Sequence, residues 1–347
     1  MKNKLVVPAL AGLAAACTTV PHSPRTFANP LIDANFPDPA MVRASDGTYY
    51  LYGTQGGEPN RNIQVARSTN LVDWTILPDA LPVKPSWASK TQDFWAPDVQ
   101  RFGGKYYLYY SAKPDAALSD DKLGLCLAVA TSSEPGGPFI DSGRPLQCGE
   151  SFVNIDPFAF DDPATGKKLL YWGSGFGPIK VQELADDRIS FRRGSVPKDL
   201  LSVIKTQDAA EYQRLVEGVW VIRRNDYYYL FYSGDNCCGP NAHYATMVAR
   251  SRSATGPFET RGRPLYLVVE ANERWLAPGH NAVVQDDAGT DWLLYHGVDR
   301  QRSRAQPSDD VNSRRVLLMD RLEWVSGWPR VKGLGPSSGP QPAPVVR

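Results

Sequence analysis

Four side chains able to hold or move protons open four apolar stretches of this 347-residue chain. They are Asp38 in FPDPAMV, Asp156 in NIDPFAF, Glu217 in VEGVWVI and His280 in GHNAVVQ. Each stands thirteen or fourteen residues ahead of a leucine, in turn Leu51, Leu170, Leu230 and Leu294. Asp beside Pro is ordinarily a turn former, but scattered turn formers would not keep a common register. Three carboxylates and an imidazole meeting in one cleft suit hydrolysis of a glycosidic bond. That reaction takes a protonated acid at the leaving oxygen and an ionised carboxylate acting at the anomeric carbon. Like charges sharing a cleft push their pKa values apart, so one carboxyl stays protonated near neutral pH while another is ionised.

The leucines lie in a phrase that recurs five times, GTYYLYGT, GKYYLYYS, GKKLLYWGS, DYYYLFYS and TDWLLYHG, with a period of about 60 residues. A Gly, Asp or Asn turn signal precedes the strand-forming residues in each copy. A second, alternating phrase follows every copy: IQVARSTNLVDW, LCLAVATSSEPGGPF, IKVQELADDRISF, ATMVARSRSATGPF and RRVLLMDRLEW. Five such units without a sustained helical period predict an all-β, five-bladed β-propeller, whose innermost strands lead toward a central funnel. A two-sheet sandwich would not require a repeat of this length. In the second unit Asp98 stands only ten residues before Leu108. Its register differs, so it is read as structural, and Trp95 is expected to face the funnel. KTQDAAEYQRL, before the fourth unit, is expected to hold a helical turn or two.

A net charge of +1 gives no electrostatic hold on nucleic acid or on an anionic surface. Tyr 16, Phe 12 and Trp 9 suit sheets first and sugar faces second. Lys2, Lys4 and LVVPALAGLAAA form a targeting segment too short to span a membrane. Its end, LAAAC, resembles a bacterial lipobox with Cys17 as the lipidated residue, simple cleavage after Ala16 being the alternative. Either way the protein is expected to be exported, to the periplasm or the outer membrane. Export favours disulfides. Cys126 and Cys148 flank a hairpin-like stretch and Cys237 and Cys238 are adjacent, so three pairings stay open. The organisation expected is a signal over 1–17, a tether over 18–28, one propeller over 29–330 and a flexible Pro/Gly/Ser-rich tail over 331–347.

Through NPLIDANFPDP, WAPDVQRFGGKYYLYYSA, NIDPFAFDD, EGVWVIRRNDYYYLFYSG, PGHNAVV, YHGVD and GWP, the chain from Asn29 to Trp328 resembles glycoside hydrolase family 43. The resemblance implies an inverting enzyme acting on α-L-arabinofuranosyl linkages of arabinan or of arabinose-containing hemicellulose and pectin side chains, with endo and exo attack both open. It makes Asp38 the general base, Glu217 the general acid, and Asp156 the group that orients the sugar and modulates the acid's pKa. Phe36, Trp95, Asn154, Trp172 and Ser174 are expected to contact the sugar. His280 resembles an axial histidine that helps hold a hydrated calcium ion through waters; a histidine satisfied by ordinary hydrogen bonds is the alternative. No cofactor is expected for the chemistry. A β-xylosidase or exo-galactanase of the same family is the alternative activity, and a non-catalytic sugar-binding lipoprotein is the alternative of another class. The expected partner is a plant cell-wall poly- or oligosaccharide, met by a monomer that touches membrane only through a lipid on Cys17.

Overall fold

Each of the five aromatic phrases is the second strand of an antiparallel sheet, and the stretch before it is the first. The computed structural model describes residues 25–205, 212–261 and 266–347. Blade I comprises Ala40–Arg43, Tyr49–Gly53, Gln64–Ser68 and Thr75–Ile76. Blade II comprises Phe94–Phe102, Lys105–Ala112 and Cys126–Ser132, with Ile140–Asp141 and Gln147–Cys148 both paired to the third strand. Blade III runs Phe158–Asp161, Lys168–Trp172, Ile179–Glu183 and Lys198–Leu201. Blade IV runs Val216–Arg224, Tyr227–Asn236, His243–Ser251 and Leu267–Val269, and blade V Trp275–Gln285, Asp291–Asp299, Arg315–Val325 and Trp328–Val331.

The turn between first and second strands passes in every blade through a left-handed residue: Gly47, Gly103 with Gly104, Gly166, Asn225 and Gly289. These are the turn signals of the repeat, and Gly or Asn takes that conformation at least cost. The five phased leucines, Leu51, Leu108, Leu170, Leu230 and Leu294, are all fully buried. First strands of successive blades touch one another around a closed ring, blade V meeting blade I. The five-bladed propeller is therefore the fold.

Ring closure uses the segments that flank the five blades. Residues 31–36 run beside the third strand of blade V, with Leu31 N–H donating to Leu317 O at 2.8 Å and Phe36 N–H to Arg315 O at 2.8 Å. Thr26–Phe27 pairs antiparallel with Gln341–Pro342. The segment expected to be a frayed tail is instead hydrogen-bonded along its length: the Trp275 indole donates to Ser337 O at 3.1 Å, Gln341 Nε2 to Asp320 Oδ1 at 2.7 Å and Val345 N–H to Asp286 Oδ2 at 3.0 Å. Pro and Gly content suggested fraying, but buried carboxylates of blade V supply acceptors that composition does not reveal. The expected signal with Cys17, the tether up to residue 24 and the helical turn at 206–211 lie outside the described residues. Cys126 and Cys148 face each other across blade II and are disulfide-bonded.

Candidate active site

At the head of each first strand the backbone turns left-handed at least once, at Asp38 (φ 57), Ala96 (φ 46), Asp156 (φ 56), Gly218 (φ 63), and both Ala277 (φ 52) and His280 (φ 49). Non-glycine residues adopt this conformation at a cost of roughly 1 kcal/mol or more each. The kink interrupts the strand's two-residue alternation and is shared by Asp38, Asp156 and His280 themselves. These three side chains and that of Glu217 line one cavity of about 310 Å³. Trp95, Phe152 and Phe176 give it aromatic walls, the last two in edge contact at 5.6 Å.

Asp38 and Glu217 sit in opposite electrostatic settings. Burial alone would raise the pKa of Asp38, but the Arg315 guanidinium outweighs it and the carboxyl is held far below its usual range. Arg315 donates to Asp38 Oδ1 at 2.7 Å, and Thr54 Oγ1 donates to Oδ2 at 2.5 Å. Thr54 Oγ1 in turn accepts the N–H of Ala96 at 2.8 Å, tying the carboxylate to the kink of blade II. Glu217 is pushed up to about 7, first by burial and further by the charges of Asp38 and Cys238. Two hydroxyls donate to it and partly oppose this: Tyr244 to Oε1 at 2.8 Å and Ser174 to Oε2 at 2.9 Å. Asp156 is also held well above its usual value, by burial and then by Glu217 and Asp38. Its Oδ2 accepts the Gly218 N–H at 2.9 Å, which joins it to the backbone beside Glu217. The buried pair Asp156 and Glu217 thus keeps a proton near neutral pH, while Asp38 stays ionised.

His280 Nδ1 lies 3.6 Å from both Asp38 Oδ1 and Asp156 Oδ2, and its backbone N–H donates to Ser233 Oγ at 2.8 Å. Burial lowers its pKa. A calcium ion takes six to eight oxygen ligands, and no group of three or more His, Cys, Asp or Glu side chains able to hold a metal exists among the described residues. The calcium ion that the sequence suggested, held by His280 through waters, therefore has no support from the side chains around it.

Of the expected sugar contacts, Trp95 lines the cavity. Phe36 and Trp172 do not: both are fully buried, Phe36 against Gly53 and Trp172 against Phe191 at 5.7 Å. Asn154 is likewise buried, its side-chain oxygen facing Gln147 Nε2 at 3.5 Å. Phe36 and Asn154 each precede a kinked Asp by two residues, and the kink breaks the rule that such neighbours share a face. Ser174 is buried too and meets Glu217 instead of the cavity. Asp98 is structural, its Oδ2 accepting the Ala159 N–H of blade III at 2.9 Å.

Arg315, His296, Thr54 and Tyr244 were not singled out from sequence. Signals for two of them exist. Among the five aromatic phrases only the last has an imidazole two residues after the leucine, His296, where the others have Gly53, Tyr110, Trp172 and Tyr232. The fifth alternating phrase alone begins with two arginines. His296 is fully buried, its Nδ1 accepts the Asp38 N–H at 3.2 Å, and burial lowers its pKa to about 4, so the ring is neutral.

The model of the family described as "Glycosyl hydrolases family 43" matches residues 27–329. An extracellular exo-α-(1→5)-L-arabinofuranosidase of Cellvibrio japonicus is 29% identical over 321 residues, covering 85% of this chain and 85% of the relative. An extracellular endo-α-(1→5)-L-arabinanase of Bacillus subtilis is 30% identical over 307 residues, covering 84% and 86%. Among solved structures, a Cellvibrio cellulosa α-L-arabinanase in complex with arabinohexaose superposes with a TM-score of 0.70 at 25% identity, covering 86% of this chain and 96% of that one.

Proposed function

The chain belongs to glycosyl hydrolases family 43, and from that membership we propose that it hydrolyses α-L-arabinofuranosyl linkages of arabinan with inversion at the anomeric carbon. The observation that carries the reading is one cavity holding an ionised Asp38 beside a proton-bearing Glu217. Glu217 passes its proton to the glycosidic oxygen as the bond to the anomeric carbon breaks. Tyr244 and Ser174 then donate to the carboxylate left behind, so the charge created by the transfer is already solvated. Asp38, aimed by Arg315 and Thr54, takes a proton from the water that attacks the opposite face of the sugar. Asp156 holds the Glu217 strand through Gly218, and repulsion between the two buried carboxyls disfavours the state in which both are ionised. The aromatic walls at Trp95, Phe152 and Phe176 offer flat faces to the furanose ring.

Relatives on both sides of the exo and endo division match this chain about equally, so the deciding experiment reads both linkage and mode of attack. Linear arabinan, aryl α-L-arabinofuranoside, aryl β-xyloside and galactan are incubated with wild type, Asp38→Asn and Glu217→Gln. Proton NMR follows the anomer first released. Arabinose or arabino-oligosaccharides of β configuration are expected, with release from arabinan lost in both variants. No release above background by wild type would mean a sugar-binding protein, equal release by wild type and variants would remove Asp38 and Glu217 from the chemistry, and xyloside or galactan as the preferred substrate would move the specificity within the family. We further infer that the chain is exported, as its relatives' names state of them, and anchored through Cys17. A Cys17→Ala variant that still partitions with membranes would refute the anchor.

A further inference from the structure

The wall of the cavity beside Glu217 and Arg315 includes two adjacent cysteines, Cys237 and Cys238, both half-buried and both free. They sit in the turn between the second and third strands of blade IV, and that turn is clamped from both sides. Before it, Asp235 (φ 68) accepts from Arg214 Nε at 3.0 Å and from the Arg214 backbone N–H at 3.1 Å, and its Oδ2 lies 2.8 Å from His243 Nδ1. After it, Gly239 and Asn312 exchange two hydrogen bonds, N–H to O at 3.2 Å and side-chain amide to O at 3.3 Å, reaching blade V. The thiols are near enough to hydrogen-bond to each other, and both feel the Arg315 charge. The remaining two described cysteines, Cys126 and Cys148, are already bridged, which is the state an oxidising compartment produces.

We propose that Cys237 and Cys238 are a redox-responsive modification site in the sugar-binding wall, closed as a vicinal disulfide in the working enzyme. The inference rests on the reading of this cavity as the sugar site. The oxidant class is a low-molecular-weight disulfide such as oxidised glutathione. The Cys238 thiolate attacks one sulfur of the oxidant and expels one thiolate. Cys237 then loses its proton and attacks the Cys238 sulfur of the mixed disulfide, expelling the second thiolate. The pair gives up two electrons and two protons, and the oxidant becomes two thiols. Cys238 suits the first step because the hydrogen bond from Cys237 and the Arg315 charge lower its pKa to about 7. Left reduced, that thiol carries charge beside Glu217 and competes with Asp38 for Arg315. Closed, the pair presents an uncharged, polarisable sulfur surface able to pack on the C–H face of a sugar.

The test uses the full-length protein treated with oxidised glutathione, then alkylated and mapped by mass spectrometry, with kinetics before and after mild reduction. The expected result is a Cys237–Cys238 peptide two hydrogen masses lighter and closed to alkylation. Reduction is expected to raise KM for arabino-oligosaccharides several-fold with a smaller change in kcat, and this response to reductant should vanish in C237S/C238S. Should that double variant not fold, C237A serves in its place, and the mapping stands on wild type alone. Thiols that stay open to alkylation overturn the proposal, as does a bridge whose reduction leaves KM unchanged. A reductant effect equal in wild type and C237S/C238S also overturns it, because Cys126–Cys148 would then be the responsive bond. Each of these leaves arabinan hydrolysis intact, whereas a protein inactive on every sugar in both redox states removes the underlying functional reading and with it the KM prediction.

Discussion

At Glu217 burial opposes ionisation, whereas at Asp38 the guanidinium of Arg315 overrides burial, and the division of labour between acid and base rests on that contrast. It fixes the direction of the pH dependence. The acid must carry its proton, so kcat/KM is expected to fall as pH rises through about 7, about tenfold per pH unit beyond it. The acidic limb, set by Asp38, lies far below. Glu217→Gln should abolish the alkaline limb and cost roughly 10²–10⁴-fold on arabinan, but much less on an aryl arabinofuranoside whose leaving group needs no proton. An unchanged limb in that variant would place the titrating acid elsewhere. Arg315→Met should move the acidic limb upward, because Asp38 loses the charge that holds its pKa down. Of this apparatus the sequence made the carboxylates legible through their register but not Arg315. A residue 277 positions from Asp38 comes within reach only when blade V closes on blade I, and no local pattern encodes that distance.

At the scale of the strand, what aims the carboxylates is the left-handed residue at the head of each blade, more than the strand itself. Sequence showed the phase of these strands through Leu51 and its counterparts, and it showed the hairpin turns through Gly and Asn. Side-chain direction before the kink was hidden, because two-residue alternation holds only for an uninterrupted strand; this is why Phe36 and Asn154 proved to be core residues. Pro39 closes the right-handed helical region to Asp38, although the extended backbone that a following proline favours is not the left-handed one Asp38 adopts at the kink (φ 57). Gly53 helps from the facing strand, where a Cβ would lie 2.9 Å from the Phe36 ring and from Pro37 O. Pro39→Ala frees Asp38 to sample other conformations and is expected to lower kcat by about tenfold while costing about 1 kcal/mol or less of stability. Thermal melts and turnover per folded molecule separate these effects. A variant that melts early but keeps the full rate would show that the proline serves the fold and not the base.

At the scale of the whole molecule the propeller is a ring that must be fastened, and the described segments before and after the five blades meet on blade V to do it. Residues 31–36 lie against the third strand, where Arg315 is, and the terminal residues lie farther along the same blade against Asp320 and Asp286. Asn29 joins the two, its amide donating to Met319 O at 3.2 Å, Asp320 Oδ2 at 3.1 Å and Ser337 Oγ at 3.0 Å. Asp320 and Asp286 are buried, and a chain ending at Lys332 would take the Ser337 and Gln341 donors from the first and the Val345 N–H from the second. Each buried acceptor left short of a hydrogen bond costs about 1–3 kcal/mol, so the truncated protein should melt several degrees lower. The acid and base keep every partner named above, since Tyr244, Ser174, Thr54 and Arg315 all lie before residue 333. Turnover at a temperature where the truncated chain is fully folded should therefore match that of the full chain. A fall in kcat under those conditions would mean that the fastening reaches the base, through Asn29 and the residues that lead from it to Asp38. An unchanged melting temperature would mean that water replaces the tail at both carboxylates without loss.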